Sequence, residues 1–404
     1  MRRRAIALLA AAHLFDDVNQ GVVPALIPFF VTEKGFTIAA AAGLVLAANA
    51  ASSVLQPLFG QIADRKSAPW LVPAGLLLAG TGVALAGLAP TYALALSAVA
   101  ASGIGVAAFH PEAARQVHAA SGERKATAMS LFAVGGSLGF AAGPALATPL
   151  QIAFGLKGTI LLVLPALTMA LVLVLAGRRP AAGTAQSSGA SLLEDDRWAP
   201  FARLTVAVVC RGIVFSGLNV LIPLYWIRVF GLSKAAGGVA LTLMLSAGVA
   251  GTLAGGWLAD RFGRRVVVFG SMVALFPLLA AFIAMSGATA ALVLLVPVGF
   301  ALSAPFSVMT VLGQEYLPGR VGTASGVTIG LAVTLGGLVA PLVGRIADLH
   351  GVHAAVSTLV LVPILGAVVA LTLPREPRSV GRRRSLRERR PREFEDRGPG
   401  PAPF

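Results

Sequence analysis

The chain has 404 residues, of which 56% are hydrophobic and only 12% charged, with a formal net charge of +15. A soluble globular domain carries about 25% charged residues, so half that share leaves too little polar surface for a water-exposed globule of this length. A single cysteine, Cys210, excludes a disulfide scaffold, and a mean hydropathy of +0.83 excludes disordered and collagen-like classes. A spanning helix needs roughly 20 apolar residues. The chain therefore reads as an all-α integral membrane protein of twelve transmembrane helices.

In chain order the spans are predicted near residues 5–31, 38–60, 70–89, 91–112, 126–149, 156–176, 201–227, 236–258, 265–285, 288–313, 322–346 and 352–373. The longest polar interruption follows the sixth and contains the Gly/Ser-rich run 183–191. It divides the chain into a six-helix bundle at 1–177, a cytoplasmic linker at 178–200 and a second bundle at 201–374. Residues 375–404 form a Pro/Arg-rich tail with ten arginines against five acids, expected to be disordered and held near anionic lipid. That placement of the charge argues against a nucleic-acid partner. With the N-terminus inside, every Lys and Arg falls on the cytoplasmic side except Lys34, Lys157, Arg228, Lys234, Arg345 and the in-span Arg211. The positive-inside rule then makes both termini cytoplasmic, in the inner membrane. Arg2–Arg4 before an apolar run also fits a secretory signal, but with eleven more spans following, an uncleaved first helix is expected.

The two halves repeat each other. Leu26-Ile27-Pro28 returns as Leu221-Ile222-Pro223, Gly60 and Asp64-Arg65 as Gly256 and Asp260-Arg261, Gly103 as Gly299, and Arg124 as Arg320, at offsets of 195 or 196 residues. An ordered series at one offset points to a parallel duplication, whose copies bind substrate between them near the bilayer midplane.

Twelve spans split six and six, with Gly60-Gln61-Ile62-Ala63-Asp64-Arg65 and Gly256-Trp257-Leu258-Ala259-Asp260-Arg261-Phe262-Gly263-Arg264 after the second and eighth, resemble the major facilitator superfamily. His13-Leu14-Phe15-Asp16-Asp17-Val18-Asn19-Gln20, Phe109-His110-Pro111-Glu112, the run Gly135-Gly136 to Gly143-Pro144, and Gln314-Glu315 to Arg320 are similar to its fosmidomycin-resistance-type efflux branch. The resemblance implies a proton-driven exporter of small molecules, powered by the proton gradient, with no cofactor and no enzymatic activity. It also makes Asp64, Arg65, Asp260, Arg261 and Arg264 gating residues, at helix ends where charges pair or complement helix dipoles.

Charges inside a span cost roughly 2.5–3.5 kcal/mol each on insertion scales, so each is a functional candidate. His13, Asp16, Asp17 and Gln20 fall at i, i+3, i+4 and i+7, one helical face. Adjacent acids repel, a setting in which one of the pair takes up a proton. Asp17, Asp16, His13 and His110 are accordingly the proton-coupling candidates, the alternative being permanent pairing of one acid as structural glue. Arg211, one repeat length after Asp16, is the candidate anion contact, with Gln20 and Asn219 as further substrate contacts; a resting Arg211–Asp16 pair is the alternative. His110 ends its predicted span, too near the cytoplasmic surface for central binding, so it reads either as a gate or as part of a cap. In the cap, Pro111 stops the helix and Glu112 pairs with Arg115. Gly135, Gly139 and Gly143 with Pro144 form a small-residue stripe for tight helix packing.

His350 and His353 lack further ligand spacing beyond Asp348, so no metal site is expected there. The expected protein is a monomer exchanging a small molecule and protons across the bilayer. An importer of a small metabolite anion, a transporter-like sensor and a lipid flippase remain alternatives.

Overall fold

The computed structural model describes residues 2–65, 68–122, 124–176 and 196–374, and residues 1–373 form one compact unit. Residue 177, most of the linker (residues 178–195) and the tail (residues 375–404) lie outside the described residues.

The described residues form helices throughout. The first half comprises α1 (Arg3–Glu33), α2 (Ile38–Arg65), α3 (Leu71–Leu88), α4 (Tyr92–Ser121), α5 (Lys125–Phe154) and a 3-10 turn (Gly155–Leu162) leading into α6 (Val163–Leu175). The second comprises α7 (Trp198–Arg228), α8 (Lys234–Phe262), α9 (Arg264–Ala284), α10 (Ala288–Ser303), α11 (Pro305–Tyr316), α12 (Val321–Ser325), α13 (Ala332–Leu338), α14 (Ala340–His350), α15 (Val352–Leu359) and α16 (Val362–Leu371). A π turn at Gly326–Leu331 joins α12 to α13, so the eleventh span changes helix type along its length, while α10–α11 and α15–α16 make the tenth and twelfth. Nine stretches among the described residues are long and apolar enough to cross a membrane, one of them the run Thr127–Leu175. That run folds back at Gly155, whose φ of 60° suits a residue without a Cβ, and so holds two spans. The polar first span and the eleventh, with its π turn, complete twelve.

Packing repeats with the sequence. α1 lies on α5 as α7 lies on α13, α2 on α4 as α8 on α10, and α3 on α6 as α9 on α16; α2 crosses to α14 as α5 crosses to α8. The repeat reaches single residues: a Cβ on Gly103 would strike the Ala48 carbonyl, and one on Gly299 the Met244 carbonyl. Each pair is related by 196 residues.

The stripe on α5 works the same way. Cβ atoms at Gly135 and Gly139 would meet the Ala10 and Leu14 carbonyls of α1, and one at Gly143 the Gly21 and Val22 backbone. Backbone cannot rotate aside as a side chain does, so Gly139→Ala is expected to cost about 1–3 kcal/mol. Thermal unfolding in detergent checks this, and an unchanged midpoint would show that α1 and α5 separate freely. α5 runs on unbroken through Pro144.

At one end the halves are latched together. The Asp348 carboxylate at the end of α14 accepts from the first backbone N–H groups of α2, Ile38 (2.9 Å) and Ala39 (3.0 Å). Lys234 at the start of α8 donates to the Thr32 hydroxyl (2.7 Å), lies 3.9 Å from Glu33 and 4.4 Å above the Phe29 ring. The described ion pairs of the opposite end, Arg264–Glu315 and Arg320–Asp196, stay within the second half. Asp348 thus supplies an N-cap from the other half, a contact worth about 0.5–2 kcal/mol. Asp348→Ala is expected to shift the balance toward a state parted at this end by about two- to thirtyfold. Distances between spin labels on the facing ends of α2 and α14 read that shift.

Candidate functional site

α1 and α4 run antiparallel, and the Arg2 amide donates to the Ala120 carbonyl at 2.9 Å, which brings the start of one to the end of the other. His13 lies ten residues into α1 and His110 eleven residues before the end of α4. At 1.5 Å per residue both stand about 15–17 Å from the shared end. This corrects the placement of His110 near the surface and the reading of Pro111 as a helix stop. α4 continues through Pro111 to Ser121, because Glu112, Ala113, Val117 and Ala120 bury a further face. His110 therefore lies at the depth of His13, and its Nε2 is 3.1 Å from His13 Nε2.

Asp17 lies astride the two imidazoles, Oδ2 at 3.3 Å from His13 Nε2 and Oδ1 at 3.4 Å from His110 Nε2. Gln20 donates to Asp17 Oδ1 at 2.8 Å. The other ring nitrogens face backbone carbonyls: His13 Nδ1 the Phe132 oxygen at 2.7 Å, His110 Nδ1 the Val106 oxygen at 2.9 Å. A carbonyl only accepts, so each Nδ1 carries hydrogen. In neutral rings both Nε2 lone pairs then point at one another and at the carboxylate. The result is a cage of acceptors that a cation completes.

Around it lie apolar side chains. His13 stacks on Phe132 with ring centroids 4.0 Å apart, and Leu9, Leu76, Phe109 and Ala113 pack with Phe132 in a buried cluster. Gly136 leaves room for the cage, since a Cβ there would stand 2.5 Å from Asp17 Oδ2 and His13 Nε2. Asp16 has a different setting. Its carboxyl is fully buried, His110 Nδ1 is 3.5 Å away with its hydrogen committed to Val106, and neither oxygen has a hydrogen-bond partner.

Arg211 of α7 is also buried and has no carboxylate partner among the described residues; the sequence alternative of an Arg211–Asp16 pair is not formed. Its guanidinium sits 4.9 Å from the Phe306 ring centroid and 5.7 Å from that of Phe215, with one long bond of 3.4 Å to the Leu302 carbonyl and Nε without a partner. Phe215 in turn lies 5.8 Å from Phe140 of α5, joining this wall to the first half. Asn219 donates to the Phe215 carbonyl at 2.8 Å, while its side-chain oxygen is buried without a partner.

The remaining predicted residues stand apart from these groups. Glu112 is fully buried and held by Arg115 in two bonds of 2.8 and 2.6 Å, with Gln116 adding a third of 3.0 Å. Arg264 pairs with Glu315 at 2.6 Å. Asp260 and Arg261 are exposed at the end of α8, the Arg261 guanidinium 5.6 Å from the Trp257 and Phe262 rings. The side chains of Asp64 and Arg65 lie outside those described. Sequence reading missed Phe132, Val106 and Leu302, which act through backbone oxygens and carry no residue-type signal. It also missed Phe215 and Phe306, two aromatics among 20 phenylalanines.

The Major Facilitator Superfamily profile matches residues 9–341. The chain is 32% identical over 378 residues to the fosmidomycin resistance protein of Escherichia coli (strain K12), covering 91% of this chain and 92% of that protein. It is 29% identical over 383 residues to the uncharacterized MFS-type transporter YfnC of Bacillus subtilis (strain 168), with the same coverages. Among solved structures, an inward-facing, occupied bacterial homolog of the human lysosomal transporter Spinster matches with TM-score 0.78 at 15% identity, over 92% of this chain and 96% of that one. The nucleoside transporter NupG matches with TM-score 0.74 at 14% identity, over 91% and 98%. With its family profile, its relatives and its twelve-helix fold in agreement, the chain belongs to the major facilitator superfamily and is a multi-pass membrane transporter.

Proposed function

We propose that the protein is a proton-coupled antiporter that exports small anionic or amphipathic molecules, fosmidomycin-like compounds among them, by alternating access in the inner membrane. The observation that carries this reading is the division of chemistry between the halves. The first half holds an acceptor cage of His13, Asp17 and His110 beside the buried Asp16, and the second holds Arg211 with no carboxylate partner among the described residues. A cage that a cation completes suits the proton, and an unopposed guanidinium suits a carboxylate or phosphonate. Both termini are cytoplasmic by the positive-inside rule, which makes the Asp348–Lys234 latch the outer one. The proton gradient is the energy source, a monomer suffices, and gating falls to the helix-end charges Asp64, Arg65, Asp260, Arg261 and Arg264 together with the Glu112–Arg115 pair inside α4.

Everted vesicles carrying the full chain test this directly. Addition of fosmidomycin or of members of a small-anion panel is expected to release protons from the lumen as substrate enters. Substrate-driven proton movement in the opposite sense would make the protein an importer. No response to any compound, with the protein folded, would overturn the exporter assignment.

A further inference from the structure

We propose that His13, Asp17 and His110 form a binding site for a divalent transition metal of the zinc class, a cation that competes with the proton for the same lone pairs. Zn–N bonds of 2.0–2.1 Å and Zn–O bonds of 2.0–2.2 Å place tetrahedral ligand atoms about 3.3–3.5 Å apart. Here the two Nε2 atoms stand 3.1 Å apart, and each lies 3.3 or 3.4 Å from an Asp17 oxygen. One ligand atom from each of the three residues lies within 4.8 Å of the others, so a small rotation of the carboxylate closes the set.

The outer contacts are those of a ligating pair. A metal-bound imidazole almost always donates its second ring N–H to a carbonyl or carboxylate, which fixes its tautomer and orientation. Phe132 and Val106 supply two such carbonyls, and Gln20 holds the Asp17 carboxylate. A proton bridges only two of the three acceptors, whereas a divalent cation engages all of them at once. The site is also reachable, because Asp17 and His110 keep 13% and 22% of their side-chain surface exposed. Three protein ligands leave a fourth position for water or for an anion. All three residues belong to α1 and α4, so occupancy needs no closure of one half on the other. The sequence directed the metal question to His350 and His353 at the start of the twelfth span; the fold moves it to residues 97 positions apart in the chain. This inference stands whether or not the transport cycle moves protons.

The test uses the full chain in nanodiscs, with Co2+ as spectroscopic probe and Zn2+ as competitor. One metal per chain is expected, with the visible ligand-field band of four- or five-coordinate Co2+, abolished by Zn2+. Affinity should rise with pH as protons leave the nitrogens. His13→Gln, His110→Gln and Asp17→Asn should each weaken binding at least about tenfold. His350→Ala/His353→Ala should bind as the unsubstituted chain does. Zn2+ should also raise the thermal midpoint of the unsubstituted chain but not of His110→Gln, which separates loss of a ligand from loss of fold. Absence of the band in the folded, unsubstituted chain, or loss of binding only in the His350/His353 variant, would overturn the assignment.

Discussion

Asp17→Asn is expected to leave the protein folded and inserted while substrate-driven proton release in everted vesicles falls to background. The drop is expected to be about a hundredfold or more, the low end of what a positioned proton-transfer group supplies. The physical reason lies in what Asp17 touches. Its two oxygens face His13 and His110 at 3.3 and 3.4 Å, so the amide removes the only carboxylate of the cage while keeping its volume and its bond from Gln20. Gly136 packs against the same atoms, which makes the isosteric change the right one and a larger residue the wrong one. Asp16→Asn supplies the contrast, since its carboxyl is buried with no hydrogen-bond partner. Proton release that survives in Asp17→Asn and disappears in Asp16→Asn would move the coupling group one residue back along α1.

Arg211→Gln is expected to raise the KM for an anionic substrate by about 10–150-fold, the equivalent of losing a charged hydrogen bond of roughly 1.5–3 kcal/mol. Arg211→Lys should recover only part of this, because a point charge does not reproduce the planar fork or its stacking between Phe215 and Phe306. Stability separates the substrate role from a structural one. A buried cation without a carboxylate costs desolvation that two rings and one long hydrogen bond repay only in part, so Arg211→Met should unfold at the same temperature as the unsubstituted chain or higher. A marked fall in that temperature, with substrate affinity intact, would make Arg211 a packing residue.

How much of this was legible in advance follows from what each signal depends on. Span positions depend on about 20 consecutive apolar residues, which composition reports directly, and every predicted span has its helix. The eleventh is predicted as one stretch and is helical along it, but it changes to a π turn at Gly326–Leu331, a choice between helix types that hydropathy does not encode. The face carrying His13, Asp16, Asp17 and Gln20 was readable because helical periodicity is local. His110 reads as too shallow from sequence because it stands at the end of a span predicted to close near residue 112, about 28 Å from the outer start, whereas the helix runs on to Ser121.

By itself, then, the chain of residues determined the membrane class, the twelve spans, the repeat offset and the identity of the intramembrane charges, since all of these rest on composition and local periodicity. Only the tertiary structure decided which charges meet. It joined His110 to His13 and Asp17, left Arg211 to two phenylalanines, and placed Asp348 over the start of α2. Those pairings depend on helix lengths, on glycines that let backbones touch, and on carbonyl oxygens that every residue possesses and no sequence pattern marks.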